Sequence, residues 1–259
     1  MTTADLDIAP SGPPSVATRR DHHGVVGTTI ERPPPEVIAT FRSLYTGLVL
    51  DHLGKHGCMA TDMKPVWSGA FVCGPAVTCL GADWRIRSMA ADLAEPGDVI
   101  VLAAGGLTER ACFGDMTATC WRSKGIEGVV IDGAARDVAR LRALGFPVFA
   151  RGVTPRNFHY PAGLDHGAVN VPVVCAGALV EPGHIVLGDD DGVVVVPRRI
   201  AAEIAAAASG YLEGENAGRA LFGEQYVSFG VRASSRSAAT GLSDLRAGAP
   251  TRRRGYGSK

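Results

Sequence analysis

Hydrophobic and polar residues between positions 33 and 57 are spaced as in two short helices. This stretch reads PPPEVIATFRSLYTGLVLDHLGKHG. Prolines favour the first turn of a helix, and glycine favours the position just after its end. The pattern therefore predicts that the prolines open the first helix and that Gly54 or Gly57 closes the second. The next segment, GAFVCGPAVTCLGA, predicts short apolar strands broken at the glycines.

Helices and strands then alternate from residue 87 to residue 152. RSMAADLAEPGDVIVLAAGG predicts a helix, a Pro-Gly turn and a strand, and FGDMTATCWRSKG predicts a helix that ends at Gly125. EGVVID predicts a strand, RDVARLRALG a helix that ends at Gly145, and FPVFARG a strand. Alternation with short connections is typical of parallel βαβ units, so we expect an α/β fold.

The pattern changes again in residues 170–197, NVPVVCAGALVEPGHIVLGDDDGVVVVP. Apolar runs are joined here by Gly, Pro and Asp turns, with no helix between them, which predicts a β-hairpin-rich portion attached to the parallel core. The following Ala-rich segment, RRIAAEIAAAASGYLEGENAGRALFG, predicts a C-terminal helix weakened at Gly210 and Gly214.

The two ends of the chain lack such patterns. Residues 1–30 are rich in Pro, Ser and Thr, and residues 233–259 have a similar polar, small-residue composition. Segments that cannot bury apolar surface tend to remain disordered. We therefore expect a flexible N-terminal arm (1–30), a single domain (31–232) and a flexible C-terminal tail (233–259).

Composition narrows the class of protein. The 26 basic and 26 acidic residues cancel, so no overall field attracts the chain to nucleic acid or to a membrane. No apolar run is long enough to span a bilayer, and the first thirty residues lack the apolar core of a secretory signal, so a cytoplasmic location is expected. None of the six cysteines forms a C-x-x-C pair, which favours reduced, mostly buried thiols over zinc ligands or disulfides.

Charged residues follow two neighbouring strands of the predicted parallel sheet. The strand VIVLAAGG leads to a helix that begins near Gly114 and Asp115, and GVVID leads to Arg136 and Asp137. Right-handed crossovers place both strand ends at the same edge of the sheet, where ligands bind in such folds. We therefore expect Asp115, Arg136 and Asp137 to meet in one cleft. The alternative is an aspartate near a helix start with a solvated arginine beside it.

Each of these groups has a use in binding a small anion. Free backbone N–H groups of Met116 and Thr117 at a helix start would attract a carboxylate, and the planar fork of Arg136 suits a carboxylate or an enolate oxygen. Two aspartates beside an anionic ligand require a cation, and hard oxygen ligands indicate Mg²⁺ or Mn²⁺ held partly through water. The residues favour chemistry that develops negative charge on a small 2-oxo acid.

A series of short motifs adds a family resemblance over about residues 30–232. In order, the motifs are GPAVT, PGDVIVL, FGDMTAT, GIEGVVIDGAARD, FPVFARG, NVPVVCAGALVEPG and DDDGVVVVP. Together they resemble the RraA-like family, which joins metal-dependent 4-hydroxy-4-methyl-2-oxoglutarate and 4-carboxy-4-hydroxy-2-oxoadipate aldolases with the regulator of ribonuclease E activity A. The resemblance implies an α/β/α sandwich of the swivelling-domain type, assembled as a homotrimer or hexamer with a site shared between subunits.

The resemblance also implies roles for particular residues. It implies catalytic roles for Arg136 and Asp115, and metal binding by Asp137 and Asp115. A glutamate of the C-terminal helix of a neighbouring subunit would complete the metal's water shell, and this role falls on Glu215 with Glu213 as the alternative. The substrate-binding residues implied are Gly114, Met116, Thr117 and Arg136.

The activity implied is retro-aldol cleavage of a 4-hydroxy-4-substituted 2-oxo dicarboxylic or tricarboxylic acid. This reaction releases pyruvate, and oxaloacetate decarboxylation is the expected side activity because it forms the same enolate. The alternative within the same family is a protein-binding regulator of ribonuclease E-type RNA degradation without catalysis. Family regulators tend to end soon after the DDDGVVVVP strand, whereas this chain continues with a glutamate-bearing helix, which favours the enzyme.

Overall fold

The computed structural model describes residues 18–21, 24–157 and 167–218. The chain divides into two units, residues 1–210 and residues 211–259. The helices are α1 (Pro35–Phe41), α2 (Thr46–His52), α3 (Trp84–Leu93), α4 (Asp115–Ser123), α5 (Val138–Leu144) and α6 (201–218), with a 3₁₀ turn at Arg198–Ile200. The strands are β1 (Thr18–Asp21), β2 (Gly24–Gly27), β3 (Lys64–Pro65), β4 (Val72–Leu80), β5 (Val99–Phe113), β6 (Gly128–Ala135), β7 (Val148–Val153), β8 (Ala168–Val169), β9 (Val173–Cys175), β10 (Ala178–Val180), β11 (Ile185–Asp189) and β12 (Gly192–Val196).

The main sheet has the order β1-β2-β8-β4-β5-β6-β7-β3, and its four central strands, β4 to β7, are parallel. Successive side chains of a strand point to opposite faces. Ile100 and Leu102 of β5 accordingly join one apolar cluster, and Val99 and Val101 join another. Both faces are buried, as expected for a parallel sheet. The predicted α/β class with a parallel βαβ core is confirmed.

Different elements cover the two faces of the sheet. Residues of α3, α4 and α5 pack in the first cluster, among them Ile86, Trp121 and Leu141. The second cluster includes Val173, Val180 and other residues of β9 to β12. These four strands form two antiparallel hairpins, and β11 also pairs antiparallel with β4. The predicted β-hairpin-rich portion is therefore present and is joined directly to the parallel core.

Strand β4 corrects the prediction of short strands broken at glycine. It runs without interruption through Gly74. A Cβ atom at Gly74 would lie 2.1 Å from the backbone oxygen of Gly97, so glycine permits a close backbone approach here. The glycine that was predicted to break the strand instead allows it to pack against the turn before β5.

Strand β5 is longer than its sequence indicates. The predicted strand ends at Gly106, whereas β5 extends to Phe113, with register shifts against β6 between Leu102 and Phe113. Strand β6 likewise continues beyond Asp132 to Ala135. The hydrophobic period does not detect these extensions, because the pairing is irregular and the middle of β5 is exposed.

The N-terminal segment also differs from the prediction of a flexible arm through residue 30. Strand β2 pairs in parallel with β8, and the side chain of Val26 is buried. The side-chain amide of Asn170 donates a hydrogen bond to the backbone oxygen of Gly27 at 3.0 Å. Residues 24–27 therefore belong to the sheet. The predicted C-terminal tail lies outside the described residues.

The predicted helices are present. Helices α1 and α2 begin and end close to the positions indicated by the prolines and by Gly54, whose φ is +64°. Residues 201–218 are helical through Gly210 and Gly214, so these glycines do not end the helix. Within the described part of the chain, no helix combines the length and apolar character needed to cross a membrane. All six cysteines are free thiols, and four of them are buried.

Candidate active site

The site is built around a turn between β6 and α5. Asp137 adopts a left-handed backbone conformation, with φ 62° and ψ 36°, just before the first residue of α5. The Nε atom of Arg136 lies 3.3 Å from Oδ2 of Asp137. Neighbouring residues within a helix do not face one another, but the left-handed turn brings these two side chains together. The adjacent charges predicted at a strand end therefore form an ion pair.

The start of α4 lies against the same turn. The backbone N–H of Asp115 donates to Oδ2 of Asp137 at 3.3 Å, and the backbone N–H of Arg136 donates to the oxygen of Phe113 at 2.9 Å. A Cβ atom at Gly114 would lie 2.4 Å from Oδ2 of Asp137. The structure thus brings the two predicted strand ends together, and Gly114 allows their close approach.

The side chain of Asp115 has a partner that the sequence did not indicate. Arg140, in the first turn of α5, donates from Nη1 to Oδ2 of Asp115 at 3.0 Å. This hydrogen bond and the positive charge of Arg140 lower the pKa of Asp115, and a hydrogen bond from the Met116 backbone adds to the effect. Asp115 is therefore held in its ionised form, which can bind a cation or accept a proton, although the lowered pKa makes it a weaker base.

Replacing Arg140 with alanine is expected to raise the pKa of Asp115, because it removes the hydrogen bond that contributes most to lowering this pKa. The carboxyl carbon of Asp115 can be followed by NMR as the pH is lowered. Its titration midpoint should move to higher pH in Arg140→Ala and stay unchanged in Arg142→Ala, which removes an exposed arginine from the same helix. Equal midpoints in all three proteins would show that Arg140 does not control Asp115.

A small cavity of about 70 Å³ opens beside this ion pair. A water molecule needs roughly 10–15 Å³ of such space, so the cavity encloses a few heavy atoms, and a larger ligand would extend beyond it into solvent. All four residues predicted to bind substrate line it, namely Gly114, Met116, Thr117 and Arg136. The other lining residues are Arg87, Cys112, Phe113 and Asn157.

Sequence reasoning missed Arg87 and Asn157. Arg87 precedes Ala90 and Ala91 by three and four residues, and both alanines are buried, so Arg87 lies on the inward side of α3. An arginine on the buried side of a predicted helix is unusual, and this spacing could have identified Arg87 as a candidate site residue. Asn157 lies outside any predicted element, although its isolated bridge to Ala111 brings it to the cavity. Nothing in the local sequence indicated that contact.

A larger cavity, of about 570 Å³, lies elsewhere, beside α1. Two charged residues in its lining, Arg32 and Asp98, already neutralise one another through hydrogen bonds of 2.9 and 2.7 Å. Much of the remaining lining is proline and aliphatic side chain. The small cavity has the predicted chemistry, and we place the candidate site there.

The carboxylates of Asp115 and Asp137, which neighbour residues of the cavity lining, fit a hard divalent cation. Among the described residues there is no cluster of three or more His, Cys, Asp or Glu side chains able to hold a metal. Mg²⁺, however, is often held by one or two carboxylates with water as the remaining ligands. Asp137 and Asp115 could supply those oxygens, and they do not fit a thiolate-bound zinc ion.

The remaining predicted metal residue lies in the second unit of the chain. Glu215 and its alternative, Glu213, both fall in the described part of α6, with Glu213 exposed and Glu215 partly buried. The role of either glutamate in a neighbouring subunit's metal shell stays a prediction.

Comparison with known proteins agrees with this architecture. A family model described as RraA-like, Aldolase/RraA, matches residues 46–195. A Halalkalibacterium halodurans protein, provisionally named 4-hydroxy-4-methyl-2-oxoglutarate aldolase, is 36% identical over 165 residues, which cover 63% of this chain and 77% of the relative. Streptomyces coelicolor RraAS2, titled an unusual member of the RNase ES inhibitor RraA family, is 31% identical with a TM-score of 0.63, covering 73% of this chain and 98% of that one.

A second solved structure is titled the RNA-processing inhibitor RraA from Thermus thermophilis. It is 26% identical with a TM-score of 0.53, over 60% of this chain and 93% of that one. The family match covers more than half of the chain and includes α4, the Arg136–Asp137 turn and the hairpin portion. The chain belongs to the RraA-like family.

Proposed function

We propose that this protein is a divalent-metal-dependent lyase. It cleaves the C3–C4 bond of a 4-hydroxy-4-substituted 2-oxo dicarboxylic or tricarboxylic acid and releases pyruvate, with oxaloacetate decarboxylation as a side activity. The observation that carries the proposal is the cavity lined by Arg136 and the start of α4, with Asp137 in contact with Arg136 and with the backbone of Asp115. The provisional name of the Halalkalibacterium halodurans relative supports the same reaction class.

Substrate binding follows from the groups that line the cavity. The first backbone N–H groups of a helix have no partner within the helix and carry partial positive charge. Those at the start of α4, with the guanidinium of Arg136, bind the carboxylate and the 2-oxo oxygen of the substrate. The fork of Arg136 fixes their orientation, because two parallel N–H donors accept only one planar arrangement of oxygens.

Bond cleavage then requires a proton acceptor and a group that stabilises an enolate. The carboxylate of Asp115, kept ionised by Arg140, accepts the C4 hydroxyl proton through a water molecule. The C3–C4 bond breaks, C4 becomes a carbonyl, and the electron pair moves to the 2-oxo oxygen. Arg136 stabilises this oxygen by hydrogen bonding, and protonation at C3 gives pyruvate. Bound Mg²⁺ or Mn²⁺, held by Asp137 with Asp115, would add Lewis-acid polarisation of the 2-oxo group.

A second candidate function comes from the two solved structures named as RNA-processing inhibitors. A regulator of a ribonuclease would bind its partner through a surface, so it would not need Arg136 in a cavity. The trimer or hexamer implied by the family resemblance is compatible with both functions and forms part of the proposal.

The test is a pyruvate-release assay on the purified protein. With oxaloacetate or a 4-hydroxy-4-methyl-2-oxo dicarboxylic acid and added Mg²⁺ or Mn²⁺, we expect pyruvate to form faster than without protein. Chelation with EDTA should abolish release, and excess Mg²⁺ should restore it. Absence of pyruvate with either metal and either substrate, together with inhibition of a ribonuclease E-type enzyme, would favour the regulator.

A further inference from the structure

Arg87 is a second arginine in the candidate cavity, and its surroundings differ from those of Arg136. It lies in α3, and its Nη1 donates to the backbone oxygen of Cys112. Its Nε atom is buried and has no hydrogen-bond partner among the described residues. Among the described residues the guanidinium therefore makes one hydrogen bond, to the backbone, and Arg87 belongs to the cavity lining.

No carboxylate of the described residues lies within ion-pair distance of Arg87. Asp83, at the start of the same helix, already accepts from the backbone N–H of Arg85 at 2.7 Å. Burial lowers the pKa of Arg87, and the charge of Asp83, which acts from beyond ion-pair distance, opposes this only in part. Arg136 and Arg140, in contrast, each contact an aspartate.

A buried charge without a counter-ion is costly in free energy, and an anion bound in the cavity would remove that cost. In the proposed function, Arg136 and the start of α4, which line the cavity, bind one carboxylate of the substrate. A ligand with one carboxylate would bind there and leave Arg87 without a carboxylate within ion-pair distance among the described residues. A ligand with two carboxylates would satisfy both arginines.

We infer that Arg87 binds the second carboxylate of the substrate and makes the cavity selective for dianionic 2-oxo acids over monoanionic ones. This inference rests on the proposed function, since it assigns the pyruvyl end to Arg136. The second carboxylate belongs to the part of the substrate beyond the C3–C4 bond. Arg87 is therefore a specificity-determining residue, distinct from the groups that stabilise the enolate.

The two proposed reactions use this contact differently. In retro-aldol cleavage the second carboxylate keeps its charge on the departing oxo acid, so Arg87 holds it before and after the bond breaks. In oxaloacetate decarboxylation the same group becomes CO₂ and loses its charge. Loss of Arg87 should then raise KM for oxaloacetate with little loss of kcat, because the contact weakens as the reaction proceeds.

The experiment measures binding of two unreactive ligands by calorimetry in the presence of Mg²⁺. 2-Oxoglutarate carries a second carboxylate at C5 and lacks the C4 hydroxyl needed for cleavage. 2-Oxopentanoate has a methyl group at C5 in place of that second carboxylate. Wild-type protein is expected to bind 2-oxoglutarate at least about tenfold more tightly, the range of a charge-assisted contact. Arg87→Met should remove this preference, with 2-oxopentanoate affinity unchanged within about twofold.

Arg85→Met is the matched control, since it removes the same charge from an exposed position of α3, and it should keep the wild-type preference. Wild-type protein without a preference for 2-oxoglutarate would overturn the inference whether or not Arg87→Met folds. If a folded Arg87→Met protein bound both ligands more weakly by the same factor, Arg87 would have a structural role instead. Selective binding of 2-oxoglutarate without any pyruvate release would refute the lyase and leave the assignment of Arg87 intact.

Discussion

Replacing Arg136 with alanine is expected to lower kcat/KM for pyruvate release by about 10³-fold, the upper range for removing one donor to a developing oxyanion. Arg136 lines the cavity and contacts Asp137, so its loss removes both a binding fork and the cation beside that carboxylate. About a third of the Arg136 side chain is exposed, at 36%, and the fold should tolerate the change. The measurement is steady-state pyruvate release with oxaloacetate and Mg²⁺.

Two further variants separate charge from geometry at this position. Arg136→Lys keeps the positive charge but cannot form two parallel hydrogen bonds, and we expect it to recover only part of the activity. Arg142→Ala removes an exposed arginine of α5 and should retain full activity. Wild-type rates in Arg136→Ala would exclude the proposed mechanism.

The second large effect is expected at Gly114, where alanine should reduce kcat/KM by about 100-fold, the scale of a displacement of about 1 Å in a catalytic group. A Cβ atom there would lie 2.4 Å from Oδ2 of Asp137 and 3.0 Å from Cγ and Nε of Arg136. The backbone at Gly114 is extended, with φ −158° and ψ −173°, and alanine adopts it without strain. The clash therefore falls on the two site residues.

Because the clashing atoms belong to side chains that can move, the free energy of unfolding of Gly114→Ala should fall by no more than about 1 kcal/mol. Urea denaturation followed by circular dichroism measures it. Gly47→Ala is the control, since its Cβ would meet only the ring of Tyr45 at 3.6 Å, and it should keep both activity and stability. A fully active Gly114→Ala would mean that the positions of Asp137 and Arg136 are not critical.

Much of the fold and the centre of the site followed from the sequence for one physical reason. Alternating helices and strands predict a parallel sheet, and parallel strands end at the same edge. Asp115 and Asp137 were therefore expected to be neighbours although 22 residues separate them, and the observed hydrogen bond joins them. The roles assigned to these residues and to Glu215 stay predictions.

The features that were missed depend on contacts that no local pattern encodes. Arg140 pairs with Asp115 only because α4 and α5 lie side by side. The extension of β5 to Phe113 depends on irregular pairing with β6. The strand at residues 24–27 requires β8, far along the chain, as its partner. Such elements are stabilised by tertiary contacts, which override local propensity.

The left-handed backbone of Asp137 restricts how this protein can be redesigned. Among residues with a side chain, aspartate and asparagine adopt this conformation most readily. Asparagine would keep the loop geometry but lose the negative charge beside Arg136, and glutamate would keep the charge on a backbone that resists the turn. The backbone at Asp115, in contrast, is helical and accepts a wider range of residues, so substitutions there test the role of the side chain without disturbing the turn.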